Sequence, residues 1–109
     1  MITYFLKYYD KLIRLLDENL SSEADWAIFQ TNFDRIHENF FRNLRERYPE
    51  LTSNDLRFCA YLRLNLSSKD IAHLMNISLK GVEVGRYRIR KKIGLPSSKS
   101  LTEFMIEFK

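Results

Sequence analysis

Positive charge is concentrated in one short segment of this chain of 109 residues. Residues 79–92 carry six Lys or Arg side chains and one acid, Glu83, which gives the segment a net charge of +5. The whole chain has a net charge of +4 at pH 7, so all other residues together sum to −1. Cations concentrated in this way attract phosphate groups. The segment therefore predicts a surface that meets a nucleic-acid backbone, with a solvated charged helix face as the simpler alternative.

A helix over this segment would divide its side chains between two faces at 100° per residue. The inward face would carry Val82, Gly85, Ile89 and Ile93. The outward face would carry Lys80, Val84, Tyr87 and Lys91, with Glu83, Arg88 and Arg90 on the flanks. A carboxylate that faces DNA can accept a hydrogen bond from cytosine, and apolar groups can contact the methyl group of thymine. Glu83 is a candidate for the first contact, and Val84 and Tyr87 are candidates for the second.

Arg86 falls close to the inward side of the same helix. Its aliphatic stem is predicted to cover apolar surface, and its guanidinium to pair with an acid such as Asp55. Contact with DNA is the alternative for this residue, and the sequence leaves both open.

Three helix-start signals position the cationic segment. They are the T-x-x-D of Thr52 and Asp55, the S-x-x-D of Ser67 and Asp70, and Ser78. Hydroxyl side chains accept hydrogen bonds from the free N–H groups of a helix's first turn, and a following acid suits the positive end of the helix dipole. The three residues 76–78 form a tight turn between the last two helices. A short helix, such a turn and a longer basic helix make a helix-turn-helix, which places its second helix in the DNA major groove.

The sequence from Leu51 to Leu95 resembles the LuxR/GerE-type helix-turn-helix domain. The matching residues are Leu51-Thr52 with Asp55, SSKDIA at 67–72, LMNIS at 74–78, Gly81-Val82, Ile89 and KIGL at 92–95. The chain departs from the family pattern in the basic helix. Gly81 stands where Thr is usual, Gly85 where His is usual, and Glu83 where a basic residue is frequent. The resemblance implies the family's fold, with residues 79–93 as the recognition helix, and leaves the DNA sequence that is read undefined.

A narrower resemblance is to the cytoplasmic output end of Bacteroides-type triple-tyrosine sensor-regulators, which belong to two-component signalling. It is carried by LRFCAYLRLNLSSKDIA, VEVGRYRIRKKIGL and the ending LTEFMIEF. The segment DWAIFQTNFDRIHENFFRNLRERYPE resembles the stretch that precedes this module in those proteins. The resemblance implies either the cytoplasmic end of a membrane-anchored sensor, in which case Met1 is a fragment boundary, or a free-standing relative.

The N-terminal segment predicts a helix that pairs. Residues 3–20 place apolar side chains on two adjacent seams and leave one polar stripe. A helix that is apolar over more than half its circumference needs partners on two sides. One partner is the next helix, and the other is the helix-turn-helix body or a second chain. We predict a homodimer whose contacts include Phe5, Tyr9, Leu12, Ile13 and Leu16.

A second long helix, residues 24–48, is predicted from an aromatic stripe that Pro49 ends. Its members step by three or four residues and are Trp26, Phe29, Phe33, Ile36 and Phe40. Such a stripe is more typical of a core than of a ligand site. The chain is therefore predicted to be all-α, with a helical dimerisation and interaction unit at 1–48. A helix-turn-helix DNA-binding domain at 49–109 would end with a helix from Ser100 to Phe108, opened by a capping box of Ser100 and Glu103.

The sequence favours neither an enzyme nor a cofactor protein. It contains no nucleophile–base set, no paired carboxylates and no glycine-rich phosphate loop. His37, His73 and Cys59 are too scattered for a metal site, and Cys59 is predicted to be a buried reduced thiol. No run of 18 apolar residues occurs, and the first residues lack a signal-peptide cleavage site. A cytoplasmic location is expected.

Together these features predict a sequence-specific DNA-binding transcriptional regulator. Its partners would be double-stranded DNA and a second copy of the chain, with RNA polymerase as a further candidate. Phosphate-positioning groups are predicted at helix starts, where N–H groups also face DNA: Ser67, Ser68, Lys69, Ser78 and Lys80. The recognition helix would add Glu83, Val84, Tyr87, Arg88 and Lys91. The alternative is a helical protein–protein interaction module that has lost DNA binding, and Gly81, Glu83 and Gly85 keep it open.

Overall fold

The computed structural model of this chain describes residues 23–37 and 39–109. The described residues form six helices and no strand, so the predicted all-α class is confirmed. The helices are α1 (Glu23–Ile36), α2 (Phe40–Arg47), α3 (Ser53–Arg63), α4 (Ser68–Met75), α5 (Leu79–Ile93) and α6 (Leu101–Glu107). None of these helices combines the length and the apolarity needed to cross a membrane. The predicted helix 3–20, with Phe5, Tyr9, Leu12, Ile13 and Leu16, lies outside the described residues.

The contacts divide the chain into two compact units, one that ends at His37 and one that comprises Glu38–Lys109. Helix α2 therefore belongs to the second unit by its contacts, whereas the sequence analysis assigned it to the dimerisation unit 1–48. The functional division at residue 48 stays a prediction. In the first unit, Phe29 and Phe33 are buried on one face of α1 and their rings stack at 5.6 Å between centroids. The ring of His37 stacks on that of Phe33 at 4.2 Å.

The predicted single helix 24–48 is interrupted, and this part of the prediction is wrong. Helix α1 ends at Ile36 and α2 begins at Phe40, with Asn39 between them in the left-handed conformation at φ +67°. Asparagine enters this region more readily than most residues with a side chain. The spacing of Phe33, Ile36 and Phe40 gives no sign of the break, because it satisfies helical periodicity across it.

Helix α3 is central to the second unit and contacts α2, α5 and α6. Residues 58–62 are all buried, which fits a helix surrounded by other helices. Its start is the predicted capping box. Thr52 Oγ1 accepts from the Asp55 N–H at 3.1 Å, and Asp55 Oδ2 accepts from the Thr52 N–H at 3.0 Å.

Helix α6 packs on α3 and is held at both ends. At its start, Ser100 Oγ accepts from the Glu103 N–H at 3.2 Å. At its end, Arg63 Nη1 donates to the carbonyl oxygens of Met105 at 2.7 Å and Phe108 at 2.6 Å. Carbonyl oxygens at the end of a helix lack N–H partners within the helix, and the Arg63 guanidinium donates to two of them. The predicted helix between Ser100 and Phe108 is thus confirmed, with these two residues as its caps.

Candidate nucleic-acid interface

Helices α4 and α5 and the turn between them build the candidate interface. Ser67 Oγ caps α4 by accepting from the Asp70 N–H at 3.1 Å, and Asn76, whose φ is +54°, is the C-cap that follows the helix. Ser78 Oγ then caps α5 by accepting from the Gly81 N–H at 3.0 Å. The three helix starts predicted at Thr52, Ser67 and Ser78 are therefore confirmed, and residues 76–78 form the predicted short connection.

The inward face of α5 is buried as predicted at Val82, Gly85 and Ile89, while Ile93 is half-buried. Gly85 meets the buried ring of Phe58 on α3. A Cβ atom added at Gly85 would lie 2.7 Å from Phe58 Cε2, closer than side-chain carbons approach one another. The missing side chain therefore lets α5 lie directly against α3. This contact gives a packing reason for a glycine where the resembling family usually has a histidine.

The outward face of α5 comprises Lys80, Glu83, Val84, Tyr87 and Lys91. Its apolar members are well exposed, at 51% for Val84 and 61% for Tyr87, and Leu79 in the first turn is 56% exposed. Lys80 Nζ and Glu83 Oε2 lie 4.0 Å apart and both side chains are exposed, so this pair contributes little to stability. Lys91 Nζ lies 5.0 Å from the centroid of the Tyr87 ring, and a hydrogen bond with Tyr87 raises the pKa of Lys91.

A buried carboxylate ties the C-terminal half of α5 to the start of α3. The Asp55 side chain is 1% exposed; its Oδ1 accepts from Arg88 Nε at 3.0 Å and its Oδ2 from Lys92 Nζ at 2.6 Å. Burial alone raises the pKa of Asp55, but hydrogen bonds from Lys92, the Thr52 amide and Arg88 outweigh it and hold the pKa below its usual value. The predicted partner of Asp55 was Arg86, and that pairing is wrong.

Arg86 is turned inward as predicted, but it bridges two other helices. Its Nη2 donates to Ser68 Oγ at 3.1 Å on α4, and its Nη1 donates to Thr102 Oγ1 at 3.3 Å on α6. Burial lowers the pKa of Arg86 from its usual value, although the group is only half-buried. The third arginine of α5, Arg90, donates from Nη2 to the Pro96 carbonyl at 2.6 Å.

The predicted DNA-binding residues fall at three places. Ser67, Ser68 and Lys69 begin α4, Ser78 and Lys80 begin α5, and Glu83, Val84, Tyr87, Arg88 and Lys91 follow along α5. All are exposed except Ser68, which is half-buried under Arg86. Arg88 lies at the edge of this surface because Asp55 holds its guanidinium.

Two exposed apolar residues at the beginning of α5 were missed by the sequence reasoning: Ile77, which is 40% exposed, and Leu79. Leu79 lies three residues before the buried Val82, so helical periodicity favours the same face for both. It lies in the first turn of α5, however, where the end of the helix leaves it exposed. The position of Leu79 in the first turn of the predicted helix was the feature of the sequence that could have indicated its exposure.

The described residues also hold a buried thiol and no candidate metal cluster. Cys59 is free and buried as predicted, and burial, with a contribution from the charge of Asp55, raises its pKa far above the usual value. No group of three or more His, Cys, Asp or Glu residues in the described part of the chain could hold a metal ion.

No protein-family model, no curated protein and no solved structure matches this chain. The resemblance to the LuxR/GerE-type domain therefore rests on the quoted residues alone.

Proposed function

We propose that this chain is a sequence-specific DNA-binding transcriptional regulator whose helix α5 enters the major groove of double-stranded DNA. The outward face of α5 carries the proposal. Val84 and Tyr87 are exposed on one helix, between the cations Lys80 and Lys91, and Leu79 is exposed in the first turn of the same helix. Exposed apolar residues grouped in this way mark interaction surfaces. The major groove admits one α-helix and offers base edges to apolar and polar side chains alike.

The arrangement of α4 and α5 supports the same function. Both helices begin near one another in sequence, and each start has a serine cap followed by a lysine, Lys69 or Lys80. The N–H groups and the dipole of a helix start favour phosphate groups. The hydroxyls of Ser67 and Ser78 each accept one N–H and still have an O–H to donate to a phosphate oxygen. Phosphate contacts at these two starts would orient α5 over the bases.

The proposal extends to family, assembly and location. We propose a LuxR/GerE-type domain that acts as a homodimer through residues 3–20. Two copies of α5 would then lie about one DNA turn apart, roughly 34 Å, and each would read a half-site. The resemblance to sensor-regulators supports a cytoplasmic output module, with RNA polymerase as a further partner.

One observation favours the alternative, a helical protein–protein interaction module. The outward face of α5 has two lysines and the exposed Glu83, while Arg86, Arg88 and Arg90 all donate hydrogen bonds to other parts of the protein. The charge that is free to meet phosphate is therefore smaller than the segment's total of +5. Such a face would also suit an apolar partner protein.

Selection from a pool of random DNA duplexes separates the two functions. The full chain is expected to enrich a sequence motif, and a Val84→Ala/Tyr87→Ala variant to lose that enrichment, because both side chains are exposed on the outward face. Ile28→Ala and Ile106→Ala are matched controls, since they are similarly exposed on α1 and α6. They should enrich the same motif as the unmodified chain. Failure of the unmodified chain to enrich any motif contradicts DNA reading and favours the interaction module.

A further inference from the structure

We infer that α5 selects bases through the methyl group of thymine and the amino group of cytosine, not through arginine contacts to guanine. The inference rests on the proposed function, and it concerns which bases the outward face recognises. It follows from the partners of each charged side chain of α5.

The three arginines of α5 are all held by the protein. Arg86 donates to Ser68 and Thr102, Arg88 to the buried carboxylate of Asp55, and Arg90 to the carbonyl of Pro96. Arginine reads guanine by placing two donors of its fork on O6 and N7 at once. Moving Arg88 to a base would leave Asp55 with one fewer partner in a buried position. Moving Arg86 would remove the bridge between α4, α5 and α6.

The two lysines lie at the ends of the outward face. Lys80 and Lys91 are 11 residues apart, which is about 16 Å along the helix axis at 1.5 Å per residue. Lys80 is in the first turn beside Glu83, and the ammonium of Lys91 lies over the Tyr87 ring. This placement suits the phosphate backbones that border the groove. The centre of the face is left to an acid and to apolar groups.

These central groups match two features of the major groove. Among the base edges there, only thymine presents an apolar group, its C5 methyl, which suits Val84 and the Tyr87 ring. The carboxylate of Glu83 can accept from the N4 amino group of cytosine. Adenine also has an amino group, but its N7 acceptor lies beside that group and would repel a carboxylate. The outward face has no Asn or Gln to bridge the two adenine positions. The bases read are therefore pyrimidines, with their 5-methyl and 4-amino groups as the signals.

Single-atom changes in a bound duplex test the inference. The probe is the duplex enriched from the random pool, with one thymine at a time replaced by deoxyuridine, which removes only the methyl group. Affinity is expected to fall about fourfold at a contacted thymine, the factor for burial of one methyl at about 0.8 kcal/mol. In the Val84→Ala variant the difference between thymine and deoxyuridine should shrink at one position. Replacing guanine by 7-deazaguanine, which removes the N7 acceptor, should change affinity less than twofold.

The outcomes separate this inference from the proposed function. One result would overturn the inference and leave DNA reading intact. In that result the selected duplex is bound, its affinity does not change when deoxyuridine replaces any thymine, and its affinity falls tenfold with 7-deazaguanine. If no duplex is enriched, the proposed function and the inference fall together. Val84 is half exposed, so Val84→Ala should keep the thermal unfolding midpoint of the unmodified chain. An equal loss of affinity for every duplex in the Val84→Ala variant would also contradict recognition of the thymine methyl group by Val84.

Discussion

At the scale of single residues, Asp55 is the acid on which the packing of α5 depends most. Its buried carboxylate holds Arg88, Lys92 and the Thr52 amide. Asp55→Asn keeps the shape but removes the charge that balances two cations. We expect a loss of about 2–3 kcal/mol in unfolding free energy, below the roughly 3–5 kcal/mol of a fully buried pair because both cations are partly exposed. Glu83→Gln is the matched control and should change stability by less than about 0.5 kcal/mol.

The same prediction has a pH dependence. Because the folded-state pKa of Asp55 is lowered, its contribution is fully present above the unfolded-state value of about 3.9 and is lost as the pH falls through the folded-state value. Urea unfolding at pH 7, 5, 4 and 3 should therefore show the gap between the unmodified chain and Asp55→Asn as constant from pH 7 to 5. The gap should begin to narrow as the pH falls below about 4. A gap of the same size at pH 3 would show that the carboxylate charge is not the cause.

The sequence predicted the direction of Arg86 but not its partner, for a definite reason. Helical periodicity fixes the side of α5 on which a residue lies and is confirmed at Val82 and Ile89. It does not say which neighbouring helix lies opposite each turn. Asp55 at the start of α3 lies opposite the C-terminal half of α5, so Arg88 and Lys92 reach it. Arg86 lies two residues before Arg88, about 200° around the helix from it at 100° per residue, and donates to the hydroxyls of α4 and α6.

At the scale of elements, the two glycines of α5 allow opposite predictions. Gly85→Ala would place a methyl 2.7 Å from Phe58 Cε2 and should destabilise the fold by about 1–3 kcal/mol, as overpacking does. Gly81→Ala would place a methyl 3.3 Å from Ile77 Cβ and 3.5 Å from Ser78 Oγ, so its neighbours need to move by only a few tenths of an ångström. It should be neutral or stabilise by up to about 1 kcal/mol, because glycine is unfavourable within a helix. Thermal unfolding of both variants checks this, and equal effects would refute the close packing of α5 on α3.

The outward face of α5 should separate into two classes of residue. Lys80→Ala and Lys91→Ala are expected to weaken binding to all duplexes alike, because phosphate contacts carry no sequence information. Glu83→Ala and Tyr87→Ala are expected to change the preferred base at one position by about 1–3 kcal/mol. Anisotropy titrations on selected and scrambled duplexes measure both. Equal losses on both duplexes for all four variants would exclude Glu83 and Tyr87 from base reading.

Helix starts were easier to predict than helix interruptions. A hydroxyl residue that accepts an N–H three residues later is a local event, and Thr52, Ser67 and Ser78 all act as predicted. The break at Asn39 depends on one residue entering the left-handed conformation while the aromatic spacing continues. No local pattern separates that arrangement from a continuous helix.

At the scale of the whole molecule, the prediction is self-association through residues 3–20. Replacing Leu12 and Leu16 by Lys would put charge into both apolar seams, and burial of an unpaired charge disfavours pairing. We expect the unmodified chain to sediment as a dimer at tens of micromolar and the double variant as a monomer with the C-terminal module still folded. Leu12→Ile/Leu16→Ile is the matched apolar control and should stay dimeric. A monomeric unmodified chain would assign the seams to an intramolecular core.

We propose that α5 and the start of α4 together bind the DNA backbone and bases. Three exposed lysines, Lys69, Lys80 and Lys91, belong to these two helices. Each neutralised phosphate contributes about −0.9 to the slope of log K against log salt concentration.

The most direct measurement is a fluorescence-anisotropy titration of a labelled duplex across salt concentrations. A dimer should give a slope of roughly −4 or steeper by that rule. In Lys80→Ala, which removes one contact from each copy, the slope should become shallower. A slope near zero that Lys80→Ala does not change would contradict DNA binding by α5 and the start of α4.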